Sequence, residues 1–194
     1  VSDYDHVIRQ RNALLKSHRG RPTTALEQTL SGWEEQLIDL STDYTLARAQ
    51  LLSLLGTAVA DSYRVIAPGN EVCLALESAQ GVIPLDDESS LREWYREQFS
   101  RVSKDEWDRG MTLFGPHRDD LVIALNTLPA RTHSSQGEAW SLALSLRMAQ
   151  AVLYRAESPS GDPVMILDDV FAELDRSRRA TLEQLVSNYE QVLV

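Results

Sequence analysis

The sequence predicts an α/β domain with a parallel sheet, preceded by an all-α helical segment. Three observations carry this reading. A helical apolar seam runs from Leu26 to Ala58, residues 164–167 form a short continuous apolar run, and a helical stretch separates that run from the apolar Val192-Leu-Val194. Strand, helix and strand in that order imply a parallel pair joined by a crossover helix.

The helical part comes first. Tyr4, Val7, Ile8, Leu14 and Leu15 recur at helical spacing over residues 4–19, and Gly20-Arg-Pro22 breaks the pattern. Pro22-Thr-Thr24 opens a longer helix with apolar positions at Leu26, Leu30, Trp33, Leu37, Leu40, Tyr44, Ala47, Leu51, Leu54 and Ala58. These alternate steps of four and three, an a/d seam that requires a partner. The helix of residues 4–19 folding back is the nearest one. Residues 1–66 therefore read as a helical hairpin or small bundle, because the breakers Gly20-Arg-Pro22 and Pro68-Gly-Asn70 sit too close for a long coiled coil.

After Pro68-Gly-Asn70 the period changes. Val72, Leu74 and Leu76 alternate with Cys73, Ala75 and Glu77, which predicts a strand. Residues 89–109, with Trp94, Phe99 and Trp107, return to helical spacing. Two strand candidates, 111–114 and 121–125, flank Gly115-Pro-His-Arg-Asp-Asp120. A helix over about 136–155 is apolar nearly all round and is expected to be buried. Residues 164–167 read as a strand covered on both faces, followed by a helix over about 176–189. The domain reading is a helical segment over 1–66, a connecting strand and helix over 67–110 within which the boundary falls, and an α/β portion over 111–194.

Composition narrows the class. The chain has 194 residues, 43% of them hydrophobic, enough for a core and unlike disordered or fibrous chains. Its one cysteine, Cys73, can form neither an internal disulfide nor a four-thiolate zinc site, which fits a reducing compartment. No stretch approaches 18 uncharged apolar residues, and the opening VSDYDHVIRQ does not read as a signal peptide. A cytoplasmic protein without a membrane span is expected. A start without methionine and an end on an apolar run suggest a piece of a longer polypeptide. The net charge of −10 argues against non-specific DNA binding by the whole surface. Locally, Arg9, Arg11, Lys16, Arg19 and Arg21 face only Asp3 and Asp5 within residues 1–22, a balance of +3 that reads first as a solvated helix face. Trp33, Trp94, Trp107 and Trp140 read as core residues rather than base-stacking platforms.

Two motifs carry chemistry. In Val164-Met-Ile-Leu-Asp-Asp-Val-Phe-Ala-Glu-Leu-Asp175 a buried strand ends in adjacent carboxylates, Asp168 and Asp169. That places both at the C-terminal edge of a parallel sheet, where open α/β folds bind ligands. Neighbouring carboxylates repel each other, and a Mg²⁺ ion on nucleotide phosphates relieves the repulsion. The competing reading is a pair of helix-capping aspartates. In His133-Ser-Ser-Gln-Gly-Glu138, Ser135 and Glu138 have the spacing of a capping box. The free amides of such a turn also attract anions, and Gly137 is a poor helix residue unless something approaches its backbone closely. Capping and phosphate binding are both open, and they are compatible.

The order of these motifs is that of ABC-type ATPase heads. Gly115-Pro-His-Arg-Asp-Asp-Leu121, Ser134-Ser-Gln-Gly-Glu138 and Ile166-Leu-Asp-Asp-Val-Phe-Ala-Glu-Leu-Asp175 together resemble the RecF recombination mediators. Arg9-Gln-Arg-Asn-Ala-Leu-Leu-Lys16 resembles the lid of that family more loosely. The resemblance implies part of a P-loop, ABC-type head with a parallel sheet, and makes residues 1–66 the helical lid. It implies that Asp168 is the Walker B metal ligand and Asp169 the catalytic base. Ser135, Gly137 and Glu138 become the signature motif that meets ATP held by the opposite subunit, and Leu174 and Asp175 the D-loop. An Asp at position 169, where many such heads carry the longer Glu, implies slow hydrolysis suited to a switch. The cofactors implied are ATP and Mg²⁺. The implied partners are a second copy bound through ATP, gapped or single-strand/double-strand junction DNA, and RecR- and RecO-type mediators that together load a RecA-type recombinase. The sequence holds two lysines, Lys16 and Lys104, neither in a G-x-x-x-x-G-K-[ST] loop. The resemblance places that loop upstream, and this chain alone is expected to be inactive. His117 and Arg118 read either as phosphate contacts or as a turn in which Arg118 pairs with Asp119 or Asp120. Alternatives are the head of another Rad50- or SMC-like ATPase, and a non-enzymatic interaction module whose aspartates only cap helices.

Overall fold

Helix α1 (Ser2–Ser17) buries Tyr4, Val7, Arg11 and Leu15 along one stripe, the spacing that 3.6 residues per turn imposes. Helix α2 (Thr24–Ile66) follows and is 43 residues long. The computed structural model describes residues 2–20, 22–159, 161–168, 170 and 176–194. Asp169, Leu174 and Asp175, each assigned a role above, lie outside the described residues. The chain forms two compact units, one of residues 1–50 and 76–121, the other of 51–75 and 122–194, so the division falls within α2.

In the first unit, α3 (Glu88–Arg109) starts where the Asp87 carboxylate accepts the Ser90 amide at 2.9 Å and ends at Gly110 in the left-handed conformation. Tyr4, Val7, Leu37, Ile38, Leu91, Tyr95, Phe99 and Phe114 make its core. The Phe114 ring lies 5.1 Å from Phe99, 5.2 Å from Trp94 and 5.4 Å from Tyr95. Residues 111–114, expected as a strand, are irregular chain. The Thr112 amide donates to Asn12 Oδ1 at 2.6 Å and the Leu113 amide to Glu106 Oε1 at 2.7 Å. Side chains from α1 and α3 thus take the donors that a sheet ladder would use. Beside them Arg11 is fully buried and donates to Glu106 Oε2 at 2.5 Å and to Thr112 Oγ1 at 2.9 Å.

Strands β1 (Val72–Glu77), β2 (Asp120–Leu125) and β3 (Leu128–Pro129) form a sheet in that order. β2 and β3 pair antiparallel around Asn126, at φ 56°, a conformation Asn tolerates better than most residues. In the second unit α4 (Ala130–His133) leads into α5 (Gln136–Glu157), then β4 (Met165–Ile166), α6 (Arg176–Val186) and β5 (Val192–Leu193). β4 and β5 are parallel with α6 between them in sequence, as expected. Leu144, Met148 and Ala151 of α5 pack with Met165, Leu167, Leu182, Val186 and Tyr189. Arg155 closes this unit: it grips the Asp162 carboxylate with two nitrogens, donates to the Asn188 carbonyl at 2.6 Å and stacks 4.1 Å over the Tyr189 ring.

Four expectations need correction. α5 is not buried all round: Leu144, Met148 and Ala151 are buried, whereas Val152 is 45% and Tyr154 58% exposed. Trp140, read as core, is also exposed on that side. β4 is covered on one face, because Met165 and Leu167 point to the core while the intervening Ile166 is 70% exposed. The a/d seam of α2 does not stay buried. Leu30 and Leu37 are inside, but Leu51 and Leu54 are exposed, and burial moves to Ile38, Ser41, Thr45, then Val59, Tyr63 and Ile66. A straight helix drifts about 20° per heptad against a 3.5-residue repeat, which rotates the original seam outward.

Candidate functional site: the turn before α5 and the end of β4

Ser135 stands at the N-cap of α5 with extended backbone. Its hydroxyl accepts the Glu138 amide at 3.3 Å and donates to Glu138 Oε2 at 2.7 Å, while its own amide donates to the same oxygen at 2.8 Å. The predicted capping box is therefore formed. The amides of Gln136 and Gly137, in the first turn, have no helical acceptor and supply the donors that an anion seeks. Glu138 is held from outside as well: Asn70 Nδ2 donates to its Oε1 at 2.9 Å, and Asn126 Nδ2 in turn donates to Asn70 Oδ1 at 3.0 Å. Asn126 is fixed by paired bonds with Glu71, giving its amide to the Glu71 carbonyl and accepting the Glu71 amide on Oδ1. Hydrogen bonds from Ser135, and secondarily from Asn70, hold the Glu138 carboxyl below its ordinary value, and the nearby Arg178 charge acts in the same direction. Sequence reasoning missed Asn70 and Asn126. The signals available were an Asn ending a Pro-Gly breaker and an Asn in a two-residue hairpin turn.

Asp168 lies two residues past the end of β4 and is exposed. The amides of Met165 and Leu167 donate to the carbonyls of Gln191 and Leu193 at 3.0 and 2.8 Å, so the strand that delivers Asp168 is fixed by its parallel neighbour. Asp168 lines a groove of about 590 Å³ with Trp140, Met148, Tyr154, Ile166 and Val170. One exposed carboxylate at the C-terminal end of a parallel strand suits Mg²⁺, a hard cation that keeps several waters and takes few protein oxygens. Among the described residues no group of three or more His, Cys, Asp or Glu side chains forms a metal cluster. His133, just before the turn, has Nδ1 2.8 Å from Thr132 Oγ1.

The Gly115-Pro-His-Arg-Asp-Asp120 segment belongs to the first unit. The Tyr4 hydroxyl is hydrogen-bonded to His117 Nδ1 at 2.7 Å. Burial, with the Arg118 charge second, depresses His117 to about 4, so the ring is neutral at neutral pH. Gly115 sits at φ 130°, and a Cβ there would fall 2.7 Å from the Tyr4 hydroxyl. Arg118 Nε donates to the Thr112 carbonyl at 3.2 Å and Arg48 Nη1 to the Pro116 carbonyl at 2.8 Å. Asp119 is raised by burial, against a hydrogen bond from Ser78 and the charge of Arg48. Arg118 therefore meets a backbone carbonyl rather than Asp119 or Asp120, so the expected ion pair within the turn is not formed.

No protein-family model matches the chain. Curated relatives do. The DNA replication and repair protein RecF of Clavibacter michiganensis subsp. michiganensis is 40% identical over 213 residues, covering 100% of this chain and 53% of the relative. That of Leifsonia xyli subsp. xyli is 40% identical over 208 residues, covering 100% and 54%. The chain thus spans about half the length of the curated relatives it matches. Among solved structures, the recombination mediator protein RecF-ATP of the RecFOR pathway superposes with a TM-score of 0.84 at 24% identity, over 98% of this chain and 50% of that one. A second, of RecF-ATPrS, gives 0.82 at 25% identity.

Proposed function

The chain belongs to the RecF family, and on that premise we propose that it forms the signature, Walker B and D-loop half of an ATP-driven recombination mediator of DNA repair and replication. One observation carries the reading. A single compact unit holds both a helix opened by Ser135-Gln-Gly-Glu138 and a parallel strand followed two residues later by Asp168. In this reading Asp168 holds Mg²⁺ on the phosphates of ATP and Asp169 is the base. Ser135 and Gly137 present donors to the terminal phosphate of ATP held by a second copy, Glu138 shapes that turn, and Asp175 lies at the interface between copies. Mg²⁺ supplies charge neutralisation on the phosphates when bound.

Residues 1–66 serve as the helical lid. The dimer engages gapped or junction DNA and works with RecR- and RecO-type partners to load a RecA-type recombinase. It does so in the cytoplasm. No helix among the described residues is long and apolar enough to cross a membrane. The sequence has no G-x-x-x-x-G-K-[ST] loop, so the 194-residue chain by itself binds ATP weakly and is inactive. Micromolar or tighter ATP binding by this chain in calorimetry would overturn that statement.

The test of the enzymatic reading is Asp168→Asn in a full-length RecF containing these residues. Hydrolysis is lost while circular dichroism and melting stay unchanged; retained hydrolysis removes Asp168 from the site. A second reading, a non-enzymatic interaction module, is favoured by one observation: the capping box satisfies Ser135 and Glu138 internally. It requires unchanged partner binding in Asp168→Asn and no ATP hydrolysis in either form.

A further inference from the structure

Gly137 has an identifiable neighbour. A Cβ at this position would lie 3.0 Å from Arg178 Nη1, so the guanidinium occupies the space that any larger residue would need. Arg178 is in the first turn of α6 (Arg176–Val186) and three residues past Asp175. Its charge reaches Glu138 and Tyr63. A cation near the first turns of α5 and α6 opposes the positive ends of both helix dipoles. The Glu138 carboxylate, fixed by Ser135 and Asn70, offsets that cost. The guanidinium at the start of α6 is thus laid against the glycine that opens α5, with its charge felt by Glu138.

We propose that Arg178 is a positioning residue that couples the start of α6 to the Ser135–Glu138 turn, with Gly137 small enough to admit its guanidinium. The inference deepens the ATP-site reading above and depends on it. Movement of the turn onto a phosphate displaces the guanidinium and hence the start of α6, so the two helix starts respond to nucleotide together. Any side chain at Gly137 uncouples them by pushing Arg178 aside, and loss of Arg178 does so directly. The two substitutions therefore act through one contact.

The experiment is a double-mutant cycle in a full-length RecF containing these residues, using Gly137→Ala and Arg178→Gln, with ATP-dependent dimerisation followed by light scattering and hydrolysis by phosphate release. Each single variant weakens ATP-dependent dimerisation roughly tenfold, and the double variant is no worse than either, as expected for two residues sharing one interaction. Arg178→Lys restores part of the loss, and melting temperatures stay close to the parent. Additive losses, or wild-type dimerisation in Arg178→Gln, overturn the proposal. If Gly137→Ala fails to fold, the Arg178→Gln and Arg178→Lys pair decides alone. Ser135→Ala separates the two levels. If it abolishes dimerisation while Arg178→Gln dimerises like the parent, this inference fails and the ATP-site reading stands; if Ser135→Ala has no effect, the reading itself fails and the inference with it.

Discussion

Asn70 Nδ2 donates to Glu138 Oε1 at 2.9 Å, so the carboxylate that closes the cap of α5 is tied to a residue 68 positions away. Through Asn126 the same contact reaches the β2–β3 turn. A capping box alone is a local device. This one is anchored by the sheet, which fixes where the first-turn amides of α5 are presented.

The anchoring is measurable as a titration. Asn70→Ala raises the Glu138 pKa towards its ordinary value, and Ser135→Ala raises it further, because Ser135 is the larger cause of the depression. A carboxylate depressed in the fold contributes stability above its unfolded pKa and loses it as pH falls through the folded value. Carboxyl-detected NMR of the two variants reads the order of the shifts directly. A larger shift in Asn70→Ala contradicts it.

His117 predicts a pH dependence of the first unit. Its pKa of about 4 in the fold lies below its ordinary 6.5, so the unfolded chain binds the extra proton first. Stability is fully present above about 6.5 and falls as pH drops from there towards 4. The charges facing the ring are Arg118 and Arg11, which lower it further, and Asp5, which opposes them. Urea denaturation across that window shows a shallower fall for His117→Asn than for the parent. Equal slopes would contradict the assignment.

Two glycines give opposite signs. Gly115→Ala places a methyl 2.7 Å from the Tyr4 hydroxyl at φ 130° and destabilises by about 1–3 kcal/mol. Gly56, inside α2, has nothing within 4 Å of an added Cβ, and Gly56→Ala stabilises by about 0.5–1 kcal/mol. Chemical denaturation of both variants, with unchanged m-values, checks the pair.

The Arg11–Glu106 ion pair, with both side chains fully buried, is the most consequential polar contact in the first unit. Arg11→Met leaves Glu106 as an uncompensated buried charge and costs about 3–5 kcal/mol. The double variant Arg11→Met, Glu106→Leu recovers part of that loss. A double variant less stable than Arg11→Met would contradict this account.

The sequence made β1, α5, the β4–α6–β5 order and the capping box legible, because each follows from periodicity or local spacing. Val72, Leu74 and Leu76 alternate, and Ser135 and Glu138 are three apart, so no distant partner is needed to recognise them. What stayed hidden depends on residues far away in sequence. The strand expected at 111–114 fails because Asn12 and Glu106 capture its amides. Gly137 signalled a close approach, but nothing local identified Arg178 as the group that approaches. Ile166 looked buried because an apolar strand reads alike whether one or both faces are covered. Of the ATP-site assignments, Asp169, Leu174 and Asp175 lie outside the described residues, and the roles of all seven residues are proposals.

The most direct test of the central claim, that this chain completes a nucleotide site belonging to a second copy, is a mixing experiment. Full-length Asp168→Asn keeps an intact Ser135 turn, and full-length Ser135→Ala keeps an intact Asp168. In an isologous dimer the mixed pair contains one site with both elements intact. ATP hydrolysis by each variant alone and by their mixture is then compared. The account predicts two inactive variants and recovered hydrolysis on mixing. Two inactive variants that stay inactive when shown to form mixed dimers would contradict it.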